Sequence, residues 1–202
     1  MIKIDNILET EKYINDVYAV IFDLDDTLYS EQEYVRSGYR KIAEYFERPE
    51  MEAEMWTIFE HGGRAIDVVL EMYGMAEKKD EALQIYRHQK PDIHLYDGVA
   101  EMIDRIRKTK KVGIITDGRP EGQRAKLEVL RIAVDEIIVT DELGGIEYRK
   151  PNEIAFRMMK EKLQVPFERM VYVGDNMGKD FVAPEKLGMK SIRFKNPNGL
   201  YL

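Results

Sequence analysis

Three carboxylates within four positions, Asp23, Asp25 and Asp26, lie in the run Phe22-Asp23-Leu24-Asp25-Asp26-Thr27-Leu28. Acids crowded in this way repel one another unless a cation offsets them or some stay protonated; the plain alternative is a solvated acidic turn. A second acidic run comes much later, Val173-Gly174-Asp175-Asn176-Met177-Gly178-Lys179-Asp180. If the two runs meet, they form an oxygen-only donor set. Such a set suits Mg²⁺, which keeps several waters and takes few carboxylates. Two other segments have the makings of an anion site. Thr116-Asp117-Gly118-Arg119 precedes Pro120, a residue suited to a first helical position, so a hydroxyl and free N–H groups collect at a helix start. Lys150 precedes Pro151, which predicts a second helix start with a cation beside it. There a lysine is unfavourable for the helix itself. It is either an ordinary surface lysine or a phosphate clamp that also neutralises the acids.

Three of these segments follow short apolar runs. Val17–Phe22 leads into Asp23, Val112–Ile115 into Thr116, and Met170–Val173 into Gly174-Asp175. Ile137–Val139 and Ser191–Phe194 are two more runs of the same kind. Continuous apolar stretches of this length suit strands buried on both faces, and helical spacing between them (Val99, Met102, Ile103, Ile106) predicts an α/β, doubly wound parallel sheet. In such sheets ligands bind beyond the carboxyl ends of the strands. If the first and fourth strands are neighbours, Asp175 faces Asp23.

From Ser30 to Pro91 the alternation stops. Ser30 with Glu33 predicts a capping box, and Val35, Tyr39, Ile42 and Phe46 share one helical face. Pro49, Gly62-Gly63, Gly74 and Pro91 punctuate four short helices. The expected organisation is an α/β core of residues 1–28 and 97–202, with a small all-helical cap, 29–96, inserted after the first strand.

In order and spacing, Asp23-x-Asp25-x-Thr27, Thr116, Lys150 and Gly174-Asp175 with Asp180 resemble the four motifs of the haloacid dehalogenase-like superfamily. The helical insertion resembles its C1-type cap. The resemblance implies a Rossmann-like core and a Mg²⁺-dependent phosphatase that works through a phospho-aspartate. It implies Asp23 as nucleophile and metal ligand, and Asp25 as general acid/base that also offers its backbone carbonyl to the metal. Asp175 would be the third protein ligand, with Asp180 in support. Thr116, the N–H groups of Asp117 and Gly118, and Lys150 would hold the phosphoryl group. Dehalogenases of similar fold lack the carboxylate two residues after the nucleophile, so Asp25 favours phosphoryl transfer. A phosphomutase uses the same residues, and a non-catalytic phosphate-binding module remains a different class of reading. The substrate expected is a small phosphorylated metabolite: a sugar phosphate, a nucleotide or flavin mononucleotide.

Composition agrees with this. The 202-residue chain carries a net charge of −7 and no cysteine, which excludes disulfides and thiolate chemistry and argues against nucleic-acid or anionic-membrane binding. No apolar run approaches the roughly 18 residues that would span a bilayer. The expectation is a cytoplasmic monomer or homodimer. His61, Arg36 and Arg64 are weaker candidates for the cleft, and Trp56 is expected in the small-domain core.

Overall fold

The computed structural model describes residues 1–200. Six strands, all parallel, form one sheet: β1 (Ile2–Ile4), β2 (Ala19–Phe22), β3 (Lys111–Thr116), β4 (Glu136–Val139), β5 (Met170–Gly174) and β6 (Lys190–Phe194), in the spatial order β1-β6-β5-β2-β3-β4. β2 lies at the centre, with Phe22 paired to Ile114 on one side and Val173 on the other. The first and fourth apolar runs are therefore neighbours. Successive residues of β2 face opposite ways, as a pleat requires. Val20 and Phe22 pack in one core with Val99, Met102, Ile103, Leu127 and Leu130, whereas Ala19 and Ile21 pack in another with Ala155, Phe156, Met159 and Leu163. Helices thus cover both faces, which is why β2 can be wholly apolar.

Four helices intervene between β2 and the next core helix: α1 (Glu31–Tyr45), α2 (Glu50–Glu60), α3 (Ala65–Met72) and α4 (Lys79–Arg87). They enclose a third core of their own, built on Val35, Tyr39, Ile42, Met51, Met55, Val69 and Leu70, with Trp56 packed at its edge. The two connections to the sheet run side by side, since the Tyr96 N–H donates to the Leu28 carbonyl at 3.0 Å and Tyr29 bridges Leu95. The core then continues through α5 (Val99–Arg107), α6 (Pro120–Leu130), α7 (Ile154–Leu163) and α8 (Val182–Lys186). No helix among the described residues is long and apolar enough to cross a membrane.

Three local expectations need correction. Ser30 does precede α1, but it makes no side-chain cap. Glu33 instead accepts the His94 N–H at 2.8 Å, so the box is replaced by a tie to the returning chain. The cap of α1 is Asp26, whose carboxylate accepts the N–H groups of Glu31 (2.9 Å) and Leu200 (2.7 Å). Pro151 does not open a helix, because α7 begins at Ile154. Finally, β1 was not expected: three residues carry too little periodicity to stand out beside polar neighbours, and only pairing with β6 defines it.

Phe22 is fully buried at the centre of the sheet. Phe22→Ala leaves a cavity that neighbouring strands cannot collapse into, and should cost about 3–5 kcal/mol in urea unfolding; a loss below about 1 kcal/mol would contradict this placement of the core.

Candidate active site

β2, β3 and β5 end at the same edge, so their C-terminal loops converge. One carboxylate oxygen each from Asp23, Asp175 and Asp180 lies within 4.8 Å of the others, and all three residues are buried. A single ammonium serves the group. Lys150 Nζ is 2.7 Å from Asp23 Oδ1 and 2.7 Å from Asp180 Oδ1, and it donates to the Tyr172 hydroxyl at 2.8 Å. Burial works against the Lys150 charge, but Asp180 and Asp23 overcome it and hold its pKa well above the ordinary lysine value. Lys150 is therefore not a surface lysine. Nor is it beside a helix start; it reaches into the acids from the loop before α7.

One ammonium does not balance three carboxylates. Burial pushes the Asp175 carboxyl up to about 8, with Asp23 and Asp180 adding to the shift. Burial also raises Asp23, to about 6, against the pull of Lys150. The arrangement therefore fits a hard divalent cation on two counts, an oxygen-only donor set and a surplus of buried negative charge. The oxygens are not equally available. Both oxygens of Asp180 are engaged, Oδ1 by Lys150 and Oδ2 by the Asn176 N–H at 2.9 Å. Among the described residues, the Asp175 carboxylate meets only the Thr27 hydroxyl, at 3.5 Å.

Asp25 points elsewhere. Its carboxylate is ion-paired to Lys126 at 2.6 Å, accepts from Gln123 Nε2 at 2.8 Å, and accepts the Tyr29 hydroxyl. Burial opposes its charge, yet Lys126, Tyr29 and Gln123 together hold it below the usual carboxylate range. Two acids two residues apart thus stand in opposite environments. The residues around Asp25 were not anticipated. A signal was present: Gln123 and Lys126 interrupt the stripe Gln123-Lys126-Leu127-Leu130, the buried face of α6, and polar groups in such a stripe need partners.

Thr116 ends β3 and is fully buried. Asp117 turns its carboxylate inward, where Oδ1 accepts the Thr140 hydroxyl and the Lys150 N–H, each at 3.0 Å, and Lys179 lies 3.3 Å from Oδ2. Arg149 holds the Asp141 carboxyl below its ordinary value, against the effect of burial. A cleft of about 810 Å³ opens over Asp25, Asp117, Gly118, Lys126 and Lys150, walled on the helical side by Glu31, Tyr34, Tyr86, Arg87 and His88. Burial, reinforced by Asp25, raises the Glu31 carboxyl to about 8. His61, Arg36 and Arg64 do not line this cleft. His61 contacts the Thr57 carbonyl, Arg36 lies over the Trp56 ring, and Arg64 is 3.8 Å from Asp67.

Comparison with known proteins agrees with the geometry. Residues 20–194 match the family described as haloacid dehalogenase-like hydrolase. The chain is 26% identical over 201 residues to a glyceraldehyde 3-phosphate phosphatase of Methanocaldococcus jannaschii, covering 88% of this chain and 84% of the relative. It is 28% identical to the enzyme of the same name from Methanopyrus kandleri, covering 89% and 84%. Among solved structures, the hydrolase YfnB of Bacillus subtilis, bound to magnesium, aligns with a TM-score of 0.65 at 21% identity over 88% of this chain and 86% of that one. A 2-haloacid dehalogenase from Pseudomonas syringae aligns at 0.62, with 20% identity and 92% and 89% covered. At these identities the structures establish the fold alone.

The charge surplus makes stability depend on pH. Folded Asp175 keeps its proton up to about 8, whereas in the unfolded chain it ionises near the ordinary aspartate value of about 3.9. Metal-free protein should therefore lose stability as pH rises between those limits, the unfolded state binding fewer protons. Asp25, whose folded pKa is lowered, contributes its stability throughout that window and does not cancel the slope. In EDTA at pH 8, Asp175→Asn should melt on the order of 5–10 °C above the parent protein and flatten the pH dependence. A variant that melts lower at pH 8 than its parent would contradict the electrostatic account.

Proposed function

The chain belongs to the haloacid dehalogenase-like hydrolases, and from that premise we propose that it is a Mg²⁺-dependent phosphatase of small phosphorylated metabolites, with Asp23 as its nucleophile. The observation that carries this is the opposed pair Asp23 and Asp25: one carboxylate stands beside Lys150 and Asp175, the other is held apart by a second lysine, Lys126. Environments that differ so strongly sort two acids into two roles.

Asp23, Asp175 and the Asp25 backbone carbonyl would hold Mg²⁺, while Asp180, with both oxygens engaged, positions Lys150. When bound, the ion supplies charge neutralisation and Lewis-acid polarisation of the phosphoryl oxygens. The Thr116 hydroxyl, the N–H groups of Asp117 and Gly118, and Lys150 would bind those oxygens too. A carboxylate oxygen of Asp23 attacks phosphorus, the phosphorus–ester oxygen bond breaks, and the leaving oxygen takes a proton from Asp25. Water then attacks the acyl phosphate and gives a proton to Asp25, and the bond from phosphorus to Asp23 breaks. Lys126, Tyr29 and Gln123 keep Asp25 a carboxylate in the unliganded protein, the form needed for the second step. A bound phosphoryl dianion raises its proton affinity for the first.

Residues 29–96 would form the cap and residues 1–28 with 97–202 the catalytic core. The cap wall of Tyr34, Tyr86, Arg87 and His88 would meet the leaving group. Sugar phosphates are the first substrate class to test, because the relatives named above are glyceraldehyde 3-phosphate phosphatases.

Phosphate release from glyceraldehyde 3-phosphate and from p-nitrophenyl phosphate should require Mg²⁺ and vanish in EDTA. Asp23→Asn should retain almost no turnover of either substrate while folding normally. Rapid-quench trapping with labelled substrate should place the phosphoryl group on Asp23; label on a serine or histidine would refute the mechanism. Asp25→Asn should lose about 10²–10⁴-fold on the alkyl phosphate, in line with general acid/base catalysis. With p-nitrophenyl phosphate, whose leaving group hardly needs an acid, it should show a burst of p-nitrophenol close to one per active site.

A further inference from the structure

Gln123 and Lys126 are one helical turn apart on α6 and both are buried, at 3% and 5% exposure. Their polar atoms converge on one carboxylate. Lys126 Nζ meets Asp25 Oδ1 and Gln123 Nε2 meets Asp25 Oδ2. Tyr29 shares Oδ1. Both carboxylate oxygens are therefore engaged by donors, and rotation about the last side-chain bond is blocked.

The same two residues connect the clamp to its surroundings. Gln123 Nε2 also lies 3.0 Å from Thr116 Oγ1 and within hydrogen-bond distance of the Asp117 carbonyl. It thereby ties Asp25 to the loop proposed to bind the phosphoryl group. Lys126 Nζ sits 4.1 Å from the centre of the Tyr34 ring, on α1. A cation over an aromatic face is attracted to it, so Lys126 also joins Asp25 to the cap wall.

The Gln123 amide shows what this arrangement serves. Its Nε2 faces three acceptors, while its Oε1 is buried with no partner among the described residues. Turning the amide over would give Oε1 the Thr116 hydroxyl, but it would aim a carbonyl oxygen at the Asp25 carboxylate. An unsatisfied buried acceptor is unfavourable, and the Asp25 carboxylate and the Asp117 carbonyl, which accept from Nε2 and cannot donate to Oε1, together hold the amide in this orientation. Gly118 shows the closeness of the fit, since a Cβ there would lie 2.9 Å from Gln123 Nε2.

We propose that Gln123 and Lys126 are positioning residues that aim the Asp25 carboxylate at the leaving-group oxygen and hold it in register with the Thr116 loop. This rests on the phosphatase reading, in which Asp25 transfers the proton. Neither residue needs to touch the substrate.

A positioning role and a merely structural one separate in kinetics. Gln123→Leu and Lys126→Met should each lower turnover of glyceraldehyde 3-phosphate by about 10²-fold, the scale of a misplaced catalytic group. With p-nitrophenyl phosphate each should give a p-nitrophenol burst followed by slow turnover, as expected of Asp25→Asn. Lys126→Arg should recover most of the loss. Combined with Asp25→Asn, either variant should cost little more, because residues that act through one group are not additive. Losses that add fully to that of Asp25→Asn, or equal losses on both substrates with no burst, would overturn the proposal. Should one variant fail to fold, as its melting curve would show, the other carries the test. If Asp25→Asn itself left the alkyl phosphate turnover intact, the phosphatase mechanism would fail first, a result distinct from additive losses.

Discussion

A single ammonium buried among carboxylates sets the terms for the C-terminal edge of the sheet. Lys150 contacts Asp23 and Asp180 at the same distance, 2.7 Å, and leaves Asp175 without an ionic partner of its own among the described residues. Buried ion pairs contribute little net stability, because desolvation offsets their attraction. Such a cluster is therefore a structural liability unless something further binds there. Much of the surrounding architecture accommodates it. β5 must lie beside β2 for Asp175 to reach Asp23. Position 174 must be glycine, since a Cβ there would fall 2.5 Å from an Asp180 oxygen. The Tyr172 hydroxyl, fully buried, is present as a further partner for Lys150.

The second lysine, Lys126, lets Asp23 and Asp25 share one loop. Left to burial alone, both would be pushed toward the neutral form. Lys126 and its neighbours reverse this for Asp25, while Lys150 only partly offsets it for Asp23. The chain thus sorts equal functional groups by the company each keeps. Asp26, the third acid of the run, is removed from the chemistry altogether, since its carboxylate is committed to the first turn of α1 and to Leu200.

The central strands were legible because β2, β3 and β5 are apolar on both faces, as strands covered on both sides must be. Asp23, Thr116 and Asp175 were legible because each follows such a strand, and Lys150 because its spacing matched a known motif order. Gln123 and Lys126 were not, because their partner Asp25 is about a hundred positions away and periodicity marks a face without saying what it meets. β1 escaped for the same reason, being defined by β6. The capping residue of α1 was misassigned because Ser30 and Asp26 are both competent caps, and only the packed loop decides between them.

The strand order also has a consequence for how the protein is made. The α1–α4 insert has its own core from residues close in sequence, and local contacts of this kind form quickly. The strand that presents Asp23 gains β5 only once residue 174 exists, and β1 waits for β6, more than 185 positions further along by the pairing of Ile2 with Ile192. During synthesis the helical insert can assemble on the emerging chain while the central strand still exposes one edge. The acidic cluster therefore assembles last, because Asp175 and Asp180 lie in the loop after β5.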